Sequence, residues 1–155
     1  MSEEEFKEIS AAFNGRENGY LSNGLDSRDN YYMKRVYLAC VRSIDLLTSL
    51  PEWDGKNVIV QGGSQGGALA LVTAGLDQRV TACVANDVVN FAQLIRADTY
   101  MTWGFNDDVC PPTTSYIVYN VLNCPKEALI TPINEHWTSS DTEYGHLLWI
   151  KKHLK

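Results

Sequence analysis

The sequence has few basic residues, and most of them are scattered. Its 155 residues include 13 lysines and arginines against 19 aspartates and glutamates, a formal net charge of -6. The one basic cluster, Lys151, Lys152 and Lys155, falls at the end of a predicted helix, where lysines complement the helix dipole. Because binding to a phosphate backbone requires a basic surface, we expect no nucleic acid partner.

Long apolar runs are also missing. No run approaches the ~18 residues of a membrane-spanning helix. The acidic start, Met1 to Glu5, is followed by no apolar stretch of the kind that a secretory signal carries. We therefore expect no membrane partner and a cytoplasmic location.

Metal-binding spacings are absent as well. The four cysteines, Cys40, Cys83, Cys110 and Cys124, are far apart and form no C-x-x-C pair. The three histidines show no paired-ligand spacing. This pattern argues against a zinc site, and we expect no metal.

Helices and short apolar strands alternate along the chain. Such alternation predicts an α/β fold in which a parallel sheet of about four strands is flanked by helices, as a single domain over residues 1–155. Ser2 and Glu5 form a predicted capping box, Asp26 or Ser27 is the predicted cap of the second helix, and Gly75 is a predicted C-terminal cap. The predicted helices are 2–13, 26–50, 64–76, 88–95, 111–122 and 142–154, and the predicted strands are 57–61, 80–85, 99–103 and 128–132.

The stretch Gly62-Gly63-Ser64-Gln65-Gly66 contains the pattern G-x-S-x-G between a predicted strand and a predicted helix. In that position the pattern is typical of a nucleophile turn, which raises a serine at the carboxyl edge of a sheet. The turn strains the serine backbone, so close neighbours must lack side chains. The backbone amide of Gln65 is then a candidate oxyanion donor, supported by the helix N-terminus.

Two alternatives remain for this stretch. A glycine-rich strand-to-helix turn without chemistry gives the same letters by chance in roughly one chain in twenty. A phosphate cradle is the other alternative, but the Walker lysine is absent and G-x-G-x-x-G is not matched.

Candidate partners for Ser64 follow in the order acid, then histidine. Asp107 comes after the third predicted strand and His136 after the fourth, so all three residues belong to one sheet edge. Asp107 is the candidate orienting acid and His136 the candidate general base. Asp108 is a candidate cap for the following helix, whereas His146 and His153 are expected to contact solvent.

With these residues in place, the chain resembles the acetylxylan esterase and cephalosporin C deacetylase family of α/β hydrolases. The fold is expected to be the C-terminal half of such a hydrolase. The resemblance implies hydrolysis of small acyl esters, chiefly acetyl groups on sugars, with no cofactor, and with Ser64, Asp107, His136 and Gln65 in the roles above. It is carried by GLDSRDNYYMKRVYLACVR (24–42), GGSQGGALAL (62–71), VNFA (89–92), WGFNDDVCPP (103–112) and NEH (134–136).

The sequence departs from that family in ways that predict a compacted or truncated member. The upstream Arg-Gly-Gln motif and the first strands are not in this chain, and a lid-like segment is missing between Asn86 and Val88. Trp137 stands where the family usually has Glu. Without the earlier strands, the strand at Val58–Val60 is expected to form an exposed edge, which a homo-oligomer would cover.

Three functional hypotheses follow. The first is a small serine esterase acting on an acylated substrate, possibly an acetylated sugar. The second is a non-catalytic remnant that acts as an interaction protein. The third is an acyltransferase or perhydrolase that shares the acyl-enzyme.

Overall fold

A computed structural model of the chain describes residues 2–12, 17–85 and 91–154. Contacts between Cα atoms divide the chain into two compact units, Met1–Cys40 and Val41–Lys155. Helix α2, Tyr32–Ser49, begins in the first unit and ends in the second. The expectation of one domain over residues 1–155 stays a prediction.

The first unit opens with helix α1, Glu3–Ala12, followed by a 3-10 helix at Glu17–Ser22. The predicted capping box is confirmed. Glu5 donates its amide to Ser2 Oγ at 3.2 Å, and Ser2 donates its amide to Glu5 Oε2 at 2.6 Å. Each of these hydrogen bonds gives a partner to a backbone amide that would otherwise lack one at the helix N-terminus.

The predicted start of α2 at Asp26 or Ser27 is wrong, because the helix begins at Tyr32. Successive turns occupy the residues before it. The Ser27 amide donates to the Gly24 carbonyl, and the Tyr31 amide donates to the Ser27 carbonyl. Ser27 Oγ accepts from the amide of Asp29 at 3.3 Å and so stabilises one of these turns. Short polar side chains bond local backbone in turns as readily as they cap helices.

The second unit contains the sheet. Its four strands are parallel and lie in chain order, β1-β2-β3-β4. This arrangement confirms the predicted α/β fold. The strands are β1 Ile59–Gly62, β2 Ala82–Ala85, β3 Asp98–Gly104 and β4 Lys126–Thr131, and the helices after them are α3 Gln65–Leu76, α4 Pro112–Val121 and α5 Ser140–His153. Because parallel strands all end at one edge, the loops after β1, β3 and β4 can meet there.

Two apolar clusters cover the two faces of the sheet. The larger one contains much of α3, where Leu71 and Ala74 are almost fully buried, together with Met101 of β3. The smaller one joins Ala82 and Val84 of β2 to Trp149 of α5. Burial on both faces accounts for β2, whose four residues are all apolar and all buried.

Gly75 was predicted to cap α3, and this prediction is wrong. Helix α3 ends at Leu76, with Asp77 as its C-cap, so Gly75 lies inside the helix. A Cβ on Gly75 would come within 3.0 Å of the carbonyl oxygen of Phe91. The glycine therefore permits close packing of the helix on the following segment. Of the predicted helix over 88–95, residues 88–90 lie outside the described residues, and the rest contains a 3-10 turn at Ala92–Leu94.

Strand β1 is an edge of the sheet among the described residues, with β2 as its partner. The position of this edge agrees with the prediction, and the homo-oligomer expected to cover it stays a prediction. Within the described parts of the chain, no helix combines the length and the apolar character needed to cross a membrane.

Candidate active site

Ser64 lies between β1 and α3 in a backbone conformation that is rare for residues with a side chain. Its φ is 53° and its ψ is -130°, and it is the one non-glycine residue with positive φ in the described ranges. Such a conformation costs on the order of 1–3 kcal/mol, which the surrounding structure must offset. The predicted strained turn is therefore present, and it leaves the Ser64 side chain exposed.

Gly62 makes this turn possible. A Cβ on Gly62 would lie 2.2 Å from the carbonyl carbon and oxygen of Gly66, far inside contact distance. The expectation that close neighbours must lack side chains is therefore right at Gly62. It is wrong at Gly63 and Gly66, where an added Cβ would have no heavy atom within 4 Å outside the local backbone.

Gln65 is the first residue of α3. The amides at a helix N-terminus have no partner inside the helix, and the helix dipole adds partial positive charge there. The Gln65 backbone amide therefore follows Ser64 at a position suited to stabilise an anion. The structure keeps the Gln65 side chain exposed.

His136 connects the serine to the acid. Its Nε2 lies 2.9 Å from Ser64 Oγ, and its Nδ1 lies 2.8 Å from Asp107 Oδ2. A carboxylate can only accept, so the Nδ1 proton is donated to Asp107, and Nε2 is left to accept from Ser64. The structure thus brings together all three residues that the sequence singled out, in the orientation that a serine nucleophile and its general base require.

Asp107 is buried and uses both carboxylate oxygens. Oδ2 accepts from His136, while Oδ1 accepts the backbone amides of Val109 at 2.9 Å and Cys110 at 2.7 Å. Burial raises the pKa of Asp107, but the Cys110 amide, the His136 ring and the Val109 amide together lower it below its ordinary value. The carboxylate is therefore ionised at neutral pH.

Asp108 does not cap α4. That helix has Pro111 as its N-cap and no side-chain capping bond, and Asp108 is exposed. Asp107 itself bonds the amides of the loop before the helix, so one aspartate both shapes the loop and orients the histidine. The predicted cap at Asp108 is therefore wrong, whereas Asp107 remains the candidate acid.

Backbone contacts hold the loops of Asp107 and His136 against each other. A Cβ on Gly104, the last residue of β3, would lie 2.3 Å from the carbonyl oxygens of Asn134 and Glu135. The amide of Asn106 donates to the Asn134 carbonyl at 3.1 Å, and its side chain donates to the Pro132 carbonyl at 3.1 Å. The sequence did not identify Gly104, Asn106 or Asn134 as supporting residues. These three residues lie in the same two sequence motifs as Asp107 and His136, and that position is the one sequence feature that could have indicated their role.

His146 was expected to contact solvent, and this expectation is wrong. The residue is 5% exposed and lies 3.1 Å from Thr102 Oγ1. Burial lowers the pKa of His146, an effect that nearby Glu143 opposes. His153 is half-buried, and its ring stacks on Trp149 with a centroid separation of 3.8 Å. Both histidines are therefore structural parts of α5.

Comparison with known proteins identifies the family of the chain. A sequence model of the acetyl xylan esterase family matches residues 3–86 and 86–153. The chain is 58% identical to the acetyl esterase Axe7A of Xylanibacter ruminicola over an alignment of 194 residues, which covers 100% of the chain and 44% of that protein. The two parts of the match meet at residue 86. This position is next to the predicted loss of a lid-like segment between Asn86 and Val88, and those residues lie outside the described ranges.

Solved structures give the same result for the fold. The acetyl xylan esterase from Paenibacillus sp. R4 has a TM-score of 0.84 and 28% identity, covering 88% of the chain and 58% of that protein. Acetyl xylan esterase 1 from Thermoanaerobacterium sp. JW/SL YS485 has a TM-score of 0.84 and 24% identity, covering 90% of the chain and 59% of that protein, and it supports the fold alone. The chain spans less than two thirds of each of these relatives. With its family match, its 58% identity to a curated acetyl esterase and its shared fold, the chain belongs to the acetyl xylan esterase family.

Proposed function

We propose that this chain carries a serine esterase site that hydrolyses short acyl esters, chiefly acetyl esters of sugars. The observation that carries the proposal is the continuous chain of hydrogen bonds from Ser64 Oγ through His136 to Asp107, with lengths of 2.9 and 2.8 Å. Membership of the acetyl xylan esterase family supports the acetyl group, and the similarity to the acetyl esterase Axe7A supports it further.

In the first half of the proposed reaction, Ser64 Oγ attacks the ester carbonyl while its proton passes to His136 Nε2. The tetrahedral oxyanion forms beside the α3 N-terminus, where the Gln65 amide can donate to it. Asp107 stabilises the imidazolium that results, since its carboxylate is already ionised and hydrogen-bonded to Nδ1. The imidazolium then protonates the departing alcohol oxygen, and Ser64 remains acylated.

In the second half, water replaces the alcohol. His136 takes a proton from the water as its oxygen attacks the acyl-enzyme, and a second oxyanion forms at the same position. Collapse of this intermediate releases the carboxylic acid and returns the proton to Ser64 Oγ. Within the protein, the proton moves only between Ser64 Oγ and His136 Nε2, which are already 2.9 Å apart, so these residues need no rearrangement between the two halves.

The surroundings of Ser64 are open, which suits an ester whose alcohol part is a sugar. Ser64 is exposed, and two residues close to the acid and the base in sequence, Val109 and Trp137, present apolar side chains to solvent. Val109 is 64% exposed and Trp137 is 55% exposed. A bulky alcohol can therefore lie outside the turn while a small acyl group approaches Ser64.

A series of p-nitrophenyl esters from acetate to laurate tests the acyl preference. We expect acetate to give the highest kcat/KM, and we expect acetylated xylo-oligosaccharides to release acetate. Ser64→Ala, which keeps the fold but lacks the hydroxyl, supplies the background rate. A maximum at octanoate or a longer chain would contradict the acetyl assignment. The non-catalytic alternative predicts equal rates for the wild type and Ser64→Ala.

A further inference from the structure

Three different metal-binding side chains meet beside the candidate triad. A carboxylate oxygen of Asp107, Sγ of Cys110 and a ring nitrogen of His136 all lie within 4.8 Å of one another. Asp107 is buried, and the other two residues are half-buried. The Cys110 thiol is not part of a disulfide. The esterase mechanism uses the carboxylate and the imidazole of this group but not the thiol.

The backbone fixes two members of this group at a close approach. Asp107 Oδ1 accepts the Cys110 amide at 2.7 Å and the Val109 amide at 2.9 Å, so the loop curls around the carboxylate. These bonds keep the Cys110 side chain beside Asp107. Because Oδ1 is occupied by the two amides, Oδ2, which faces His136 Nδ1 at 2.8 Å, is the oxygen available to a cation.

The ligand set suits Zn²⁺. Sulfur, imidazole nitrogen and carboxylate oxygen bind Zn²⁺ at about 2.3, 2.0–2.1 and 2.0–2.2 Å, and three protein ligands with one open position are a known arrangement. Tetrahedral angles then place ligand atoms roughly 3.3–3.8 Å apart. Asp107 Oδ2 and His136 Nδ1, now 2.8 Å apart, must therefore separate by about 0.5 Å, whereas distances to Cys110 Sγ, at most 4.8 Å, need shorten by no more than about 1 Å. A thiolate and a carboxylate together also neutralise the charge of a divalent ion.

We propose that Asp107, Cys110 and His136 form a site for Zn²⁺ or a similar thiophilic divalent cation, and that its occupation switches off the triad reversibly. The switching part rests on the proposed function, whereas the binding part does not. The ion bonds Asp107 Oδ2, Cys110 Sγ and His136 Nδ1, and a water completes the fourth position.

The protons balance as follows. The Cys110 thiol loses its proton to solvent when the metal–sulfur bond forms, so one proton is released for each ion bound. The His136 proton moves from Nδ1, which now bonds the metal, to Nε2. Nε2 then carries a hydrogen and can no longer accept from Ser64 Oγ, which lies 2.9 Å away. The base is thereby blocked while Ser64 itself remains in place.

Cobalt spectroscopy tests the binding part without using activity. The 155-residue chain, reduced and treated with chelator, is titrated with Co²⁺ and then with Zn²⁺. We expect a cobalt–thiolate charge-transfer band that saturates at one ion per chain and disappears as Zn²⁺ displaces Co²⁺. Cys110→Ser should lose the band and bind Zn²⁺ at least about tenfold more weakly, equivalent to about 1.4 kcal/mol. Cys124→Ser is the matched control, because Cys124 precedes β4 at the opposite edge of the sheet, and it should keep both properties.

The proposed inhibition by Zn²⁺ is tested by measuring the rate of p-nitrophenyl acetate hydrolysis. The rate of each variant is compared with the rate of the same variant without metal. Zn²⁺ should inhibit the wild type and Cys124→Ser, chelator should restore the rate, and inhibition of Cys110→Ser should need at least about tenfold more Zn²⁺. A cobalt spectrum without a thiolate band, or equal inhibition of wild type and Cys110→Ser, would overturn the proposal. Ser64→Ala should keep the cobalt band, so a failure of the esterase assignment remains distinguishable from a failure of the metal site.

Discussion

Ser64 occupies an exposed turn next to the edge strand of the sheet, whereas Asp107 and His136 occupy loops after β3 and β4 that bond each other's backbone. On the serine side, the conformation is strained and one glycine, Gly62, makes room for it. On the acid and base side, a buried carboxylate bonds two amides, and the loops meet across Gly104. The strained turn after β1 therefore presents the candidate nucleophile, whereas the loops after β3 and β4 fix the positions of the acid and the base.

The largest expected effect comes from removing either member of the Ser64–His136 contact. Ser64→Ala and His136→Ala should each lower kcat by roughly 10⁴–10⁶-fold, since a nucleophile and its base act as one unit. The double variant should be little worse than either single one. Steady-state rates with p-nitrophenyl acetate measure this, and additive losses would show that the two side chains act separately.

The next effect tests the acid. Asp107→Asn should lower kcat by up to about 10⁴-fold, because an amide in place of Oδ2 can present an N–H to His136 and favour the wrong tautomer. Asp108→Asn is the matched control, since Asp108 is exposed, and its rate should stay near that of the wild type. A greater loss in Asp108→Asn would move the acid assignment by one residue.

Glycine substitutions compare the two sides directly. Gly62→Ala and Gly104→Ala should each destabilise the fold by roughly 1–3 kcal/mol and lower activity, since the added methyl group meets fixed backbone atoms. Gly63→Ala should keep the stability of the wild type, because its Cβ meets no heavy atom within 4 Å. Urea unfolding and kcat give the two readouts. Equal stability of Gly62→Ala and Gly63→Ala would contradict the account of the turn.

The smallest expected effect is a pH dependence of the free energy of unfolding, caused by His146, which lies outside the candidate active site. Burial lowers the folded pKa of His146 below its ordinary value of 6.5, so the unfolded chain binds more protons in the window below that value. Stability from this group is complete above about pH 6.5 and is lost as pH falls toward the folded pKa. Urea unfolding at about pH 7.5 and about pH 5.5 should show a larger loss for the wild type than for His146→Gln. Equal losses would remove His146 as the cause.

Much of the fold was predictable because its signals are local. Each strand contains a short run rich in apolar or β-branched residues, bounded by glycine, proline or polar residues. Ser64, Asp107 and His136 each follow one of these runs. The strain at Ser64 was also predictable, since its glycine pattern lies between a strand and a helix.

The supports of the site were not predictable in the same way. Gly104 matters because carbonyls about thirty residues later in the chain approach it, and no local pattern encodes that approach. The burial of His146 had a weak signal, since it shares the buried side of α5 with Thr142 and Trp149 at helical spacing. Its residue type alone does not predict burial, because histidine is only intermediate in its tendency to be buried.

Covalent labelling tests the central claim most directly. The protein is treated with a small fluorophosphonate, and its intact mass and peptide map are recorded with time. The account predicts one adduct per chain, located on Ser64, absent in Ser64→Ala, much slower in His136→Ala and Asp107→Asn, and formed at the wild-type rate in Asp108→Asn. An adduct on another residue, or labelling of Ser64 at the same rate in His136→Ala, would contradict the claim that Ser64, His136 and Asp107 work as one unit.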